Sequence, residues 1–93
     1  MTSFDLTLKP IRNEDVVWRE DEEDIFICSA DGELIFSISD VGADIWLACD
    51  GQLTISDITE LLIAAYDIDQ ETLAKDLVEF LLEMKAKDLV SFL

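Results

Sequence analysis

The sequence predicts one α+β domain in which three antiparallel strands are followed by three helices and a short tail. Two observations carry this reading. Apolar residues alternate with a period of two as far as Ile38, and from Ser39 onward they recur at helical spacing. Each helical run also opens on a residue able to cap it, namely Ser39, Thr54 or Asp69. Strands grouped before helices exclude a βαβ plan, and there is neither an internal repeat nor a linker. With 93 residues, of which 51% are apolar and 30% charged, the chain has enough burial for one core and no room for a second.

Residues 1–15 hold the sole proline, Pro10, and no sustained period. They read as an arm leading into a domain over residues 16–93. Val16-Val17-Trp18-Arg19 is β-branched and aromatic, as a strand should be, and the acidic run Glu20 to Asp24 makes a solvated turn. From Asp24 to Ser29, Ile25 and Ile27 share one face while Phe26 and Cys28 share the other, which suits a central strand covered on both sides. Asp31-Gly32 is a strong hairpin signal because both positions tolerate positive φ. The partner strand runs from Glu33 to Ile38, with Leu34, Phe36 and Ile38 on one face and Ile35 and Ser37 on the other.

The first helix is expected to be capped by Ser39, to turn Val41, Ile45, Trp46 and Cys49 inward, and to end at Asp50-Gly51. Thr54 with Asp57 resembles a capping box opening a second helix, whose stripe is Ile55, Ile58, Leu61, Leu62 and Ala65 and which Tyr66 and Asp67 close. Asp69 caps a third helix reaching about Ala86, with Lys85 and Lys87 where the helix dipole favours cations. Leu89 to Leu93 reads as a terminal strand or packed tail.

The 22 acidic and 6 basic residues give a formal charge of -16, which repels phosphate backbones and anionic membranes, and which either simply keeps a small domain soluble or also attracts a basic partner surface. Nucleic acid and membrane are therefore not expected partners. Histidine is absent, so the usual general base and metal ligand are missing. Three glycines form no phosphate loop, and the carboxylates fall on caps, turns and outward faces. Cys28 and Cys49 lack metal or redox spacing and read as reduced, buried hydrophobes. The start MTSFDLTLKP carries no signal pattern, and the cytoplasm is the default expectation. No catalytic residue, cofactor or metal is assigned, and the expected role is binding.

Val41-Gly42-Ala43-Asp44-Ile45-Trp46, Asp50-Gly51, Thr54, Ile58, Tyr66-Asp67-Ile68-Asp69 and Asp76-Leu77-Val78-Glu79-Phe80-Leu81 together resemble the PqqD-like family over residues 10–92. Many members carry an Asn-containing stretch where this chain has Ile38-Ser39-Asp40. The resemblance implies a winged-helix fold that acts as a recognition element in peptide natural product biosynthesis. Such proteins bind the leader of a ribosomally made precursor peptide and present it to a modifying enzyme, often of the radical-SAM type, or in lasso-peptide systems to a leader protease. It further implies that the leader adds as a strand beside the third strand and packs on the third helix.

On the third helix, Leu73, Leu77, Phe80, Leu81 and Met84 suffice for core contact. Ala74, Val78 and Leu82 form a second stripe bordered by Lys75 and Lys85, which either packs as ordinary core or lines a groove. In the groove reading the peptide lies along Leu34, Ile35, Phe36, Ser37 and Ile38, with Ala74, Val78 and Leu82 forming the cleft and Lys75 and Lys85 pairing with acidic leader residues. Competing readings are a winged-helix DNA-binding regulator, which the acidic second and third helices disfavour, and a small structural subunit of an enzyme complex. Monomer and weak homodimer both fit.

Overall fold

The computed structural model describes residues 5–28 and 33–93. In chain order the elements are β1 (Pro10–Arg12), β2 (Val17–Asp21), β3 (Asp24–Cys28), β4 (Leu34–Ile38), α1 (Asp40–Ala48), α2 (Ile55–Ala65), α3 (Gln70–Ala86) and β5 (Val90–Phe92). β2, β3 and β4 form the expected antiparallel sheet with β3 in the middle, and β1 pairs antiparallel with β5 in a second, two-stranded sheet. The Asp31-Gly32 turn expected between β3 and β4 lies outside the described residues.

Local chemistry explains where the helices begin. Thr54 and Asp57 form a reciprocal capping box on α2, and the Asp69 carboxylate accepts the Thr72 backbone N–H at the start of α3. Ser39 departs from expectation: it occupies the position before α1, but its side chain makes no capping bond. The chain enters α1 instead through Asp40 at φ 55, a left-handed conformation that Asp tolerates better than most residues.

The core lies between one face of the three-stranded sheet and the helices. Ile25 and Ile27 point into it from β3, while Phe26 and Cys28 on the opposite face are half-buried. α1 contributes Ala43, Ile45 and Trp46, followed by Cys49, and Val41, expected inside, is half-buried. α2 adds Ile55, Ile58 and Leu62, and α3 adds Leu73, Leu77, Leu81 and Met84.

The described part of the segment read as an arm, from Asp5 onward, is woven into the fold. Pro10 is fully buried, Pro10 pairs with Phe92 and Arg12 with Val90, and Lys9 and Leu93 exchange backbone hydrogen bonds of 3.1 and 2.8 Å. Gly51, at φ +80, donates to the Pro10 carbonyl, and a Cβ there would lie 2.9 Å from the Ile11 side chain. The Arg12 guanidinium donates to the Trp46 and Leu47 carbonyls at 2.8 and 2.9 Å, adding to the Cys49 N–H that the Trp46 carbonyl already accepts at the end of α1.

Trp46 has 0% of its surface exposed and meets Trp18 edge to face, with ring centroids 6.0 Å apart. Trp46→Ala should destabilise the domain by about 3–5 kcal/mol, the cost of deleting a large buried aromatic. Urea unfolding followed by circular dichroism checks this, and a near-native midpoint would show that the ring does not support the core.

Candidate functional site

β4 is an edge. Among the described residues it pairs with β3 alone, and no strand lies along its outer side. Ile38 is buried, Phe36 half-buried and Ser37 exposed, so the strand turns its sides alternately toward the core and toward solvent. The other edge, β2, ends in the exposed residues Arg19, Glu20 and Asp21, whereas Leu34 to Ile38 includes no charged residue. Charge on an edge discourages further strand pairing, so the sheet is guarded on one side and open on the other.

Beside β4 runs an open cleft of about 360 Å³. Phe36 to Ser39 form one wall, Gly42 lies at its base, and Phe80, Glu83 and Met84 of α3 form the other wall. Gly42 is required by close approach: a Cβ on it would stand 2.7 Å from Ile38 Cγ2 and 3.3 Å from the Phe80 ring. The missing side chain lets β4, α1 and Phe80 converge.

The structure thus brings Phe36, Ser37 and Ile38 to this cleft, with Ile35 exposed at the same edge, but it does not bring the second stripe of α3 there. Residues two apart on a helix point about 200° apart around the axis. Val78 and Leu82 therefore lie across α3 from Phe80, and Leu82 also lies across from Met84. Ala74 and Val78 are half-buried, Leu82 is exposed, Lys75 is exposed, and Lys85 places its ammonium 5.8 Å over the Phe92 ring on β5. The cleft contacts missed in the sequence were Phe80 and Met84, both assigned there wholly to the core, together with Glu83.

The family described as "Coenzyme PQQ synthesis protein D (PqqD)" matches residues 25–90. The chain belongs to the PqqD family. The match begins in β3 and ends at the first residue of β5, so it contains β4, the Gly42 junction and all of α3. A solved structure titled "TbiB1 in Complex with the TbiA(beta) Leader Peptide" superposes with a TM-score of 0.77 at 23% identity, covering 87% of this chain and 94% of that one, and so shares its fold. No curated protein matches the chain.

Outside the cleft of this PqqD-family chain, Cys49 is fully buried. Burial pushes the Cys49 thiol up to about 12, against a smaller opposing effect of the Arg12 charge, and its sulfur donates to the Ile45 carbonyl at 3.1 Å. Among the described residues, no three His, Cys, Asp or Glu side chains are placed to hold a metal ion. A second depression is lined by Glu20, Glu22, Glu23, Asp40, Asp44 and Tyr66, and there the Tyr66 hydroxyl donates to the Asp44 carboxylate.

That hydrogen bond raises the Tyr66 pKa above the ordinary tyrosine value, with smaller contributions from desolvation and from the negative charges of Asp44, Asp40 and Glu23. A raised folded-state pKa favours the protonated hydroxyl in the folded chain. Its contribution to stability is complete below the unfolded-state value and is lost as pH rises through the folded-state value. Since Tyr66 is the only tyrosine, ultraviolet titration of phenolate reads it directly. The folded protein should titrate above free tyrosine and Asp44→Asn should lower the midpoint; equal midpoints would show that the contact does not persist in solution.

Proposed function

We propose that this PqqD-family protein binds the leader segment of a ribosomally synthesised precursor peptide as a strand added to β4, and presents it to a separate peptide-modifying enzyme. The observation carrying the proposal is the uncharged open edge of β4 with a cleft beside it whose lining mixes Phe36, Phe80 and Met84 with Ser37, Ser39 and Glu83. An extended peptide laid there gains backbone hydrogen bonds from the edge, and alternate side chains enter the cleft. The leader complex named for TbiB1, which shares the fold, supports the same reading. The backbone of Leu34, Ile35, Phe36, Ser37 and Ile38 supplies the pairing, and Phe80 and Met84 supply the apolar wall. The protein contributes affinity and placement, while a radical-SAM enzyme or a leader protease performs the covalent chemistry.

Phe80 is half-buried, so part of its ring is available to a ligand. Phe80→Ala should weaken leader binding about tenfold or more, or about 1.4 kcal/mol. Leu82→Asp, across the helix, should change the affinity less than twofold. Calorimetric titration of folded variants with the synthetic leader of the precursor encoded beside this protein is the test. Loss of binding in Leu82→Asp with none in Phe80→Ala would move the leader to the opposite side of α3, and absence of binding by the unmodified protein would overturn the proposal.

A further inference from the structure

β4 is not a regular edge. Ile27 pairs with Phe36, yet the next residue of β3, Cys28, pairs with Leu34. Ile35 is left without a partner on β3 and is the extra residue of a β-bulge. Bulges bend the strand, interrupt the ladder and re-aim a side chain. The residue concerned here is large and apolar, and it is 56% exposed on the uncharged edge of the three-stranded sheet.

We infer that Ile35 fixes the register of the added leader strand and selects an apolar leader residue beside it. This rests on strand addition at β4. A regular edge repeats itself, so a peptide shifted by two residues finds the same hydrogen-bonding pattern, and one shifted by a single residue turns every side chain to the wrong face. The bulge removes that degeneracy. Pairing that runs along Ile38, Ser37 and Phe36 meets a break in the repeat at Ile35, which fixes where the leader must lie along the strand.

The exposed Ile35 side chain then meets a leader side chain at cross-strand distance, about 5 Å between Cβ atoms. That leader residue lies on the solvent side of the sheet, whereas the one reaching Phe80 and Met84 lies on the core side. The ligand class is therefore an extended peptide with two apolar anchors on opposite faces, an odd number of positions apart. Ile35 thus acts in specificity, and its exposure shows that the free fold does not depend on burying it.

The test uses the leader segment of the precursor encoded beside this protein, synthesised with a fluorescent tag and titrated into the full chain by anisotropy, with intermolecular NOEs recorded on the complex. Ile35→Ser should weaken binding about tenfold and Ile35→Val less than threefold, because a branched apolar side chain is retained. Ile35 methyl protons should show NOEs to one apolar leader residue. Deleting Ile35 keeps the Ile27–Phe36 and Cys28–Leu34 pairs while making the ladder regular, and should give cross-strand NOEs from more than one register. Thermal melting confirms that each variant is folded, and Ile35→Ser decides the matter if the deletion is not. Binding of Ile35→Ser within twofold of the unmodified protein, or an Ile35 without leader NOEs, overturns this inference while strand addition stands. Failure of the unmodified protein to bind the leader overturns both.

Discussion

Arg12 and Trp46 hold together parts of the chain that are distant in sequence. The guanidinium takes the carbonyls of Trp46 and Leu47 at the C-terminal end of α1, lies 5.2 Å from the Trp18 ring on β2, and belongs to the strand that pairs with β5. One side chain thus connects the arm, the end of α1 and the sheet. Trp46, fully buried, fills the space between them, although its indole Nε1 has no hydrogen-bond partner among the described residues. An unpaired buried donor carries a desolvation cost, and the large apolar burial of the ring has to exceed it.

Fixing α1 at its C-terminal end determines what happens at its beginning. Gly42 sits one turn before Trp46, and its missing Cβ brings Ile38 and Phe80 close together. With α1 held by Arg12 and Trp46, Gly42 stands against Ile38 of β4 and Phe80 of α3, and the cleft opens beside these residues and Phe36. The cleft is therefore a result of how the core packs. Its shape depends on Gly42 at its base and on Trp46, which is fully buried.

Much of this was legible in the sequence where the cause is local. The Thr54 and Asp57 box and the Asp69 cap act within three residues, and the two faces of β3 follow from strict alternation at Ile25 to Cys28. The pairing of β1 with β5 was not legible, because two three-residue strands about eighty positions apart carry almost no periodic signal and Pro10 reads as a breaker. Its ring is instead buried, and its carbonyl is what Gly51 requires. The side of α3 that faces β4 was also hidden. An apolar arc has two edges, and spacing does not say which one a strand will approach, so the sequence reading assigns Phe80 to the core and Val78 and Leu82 to the groove. The bulge at Ile35 leaves no trace in Leu34-Ile35-Phe36, where three apolar residues in succession fit either register.

An uncharged edge strand is a hazard as well as a site, since a second copy of the chain could pair with it. β2 meets the hazard locally with Arg19, Glu20 and Asp21, whereas β4 carries no charged residue from Leu34 to Ile38. Its protection is of longer range. At a charge of -16, two copies repel as they approach, even when both present an open edge. A short peptide with few charges meets much less of that repulsion, because the energy scales with the product of the two charges. The acidic balance, which disfavours nucleic acid, thus also opposes the pairing of two β4 edges more than it opposes a weakly charged peptide.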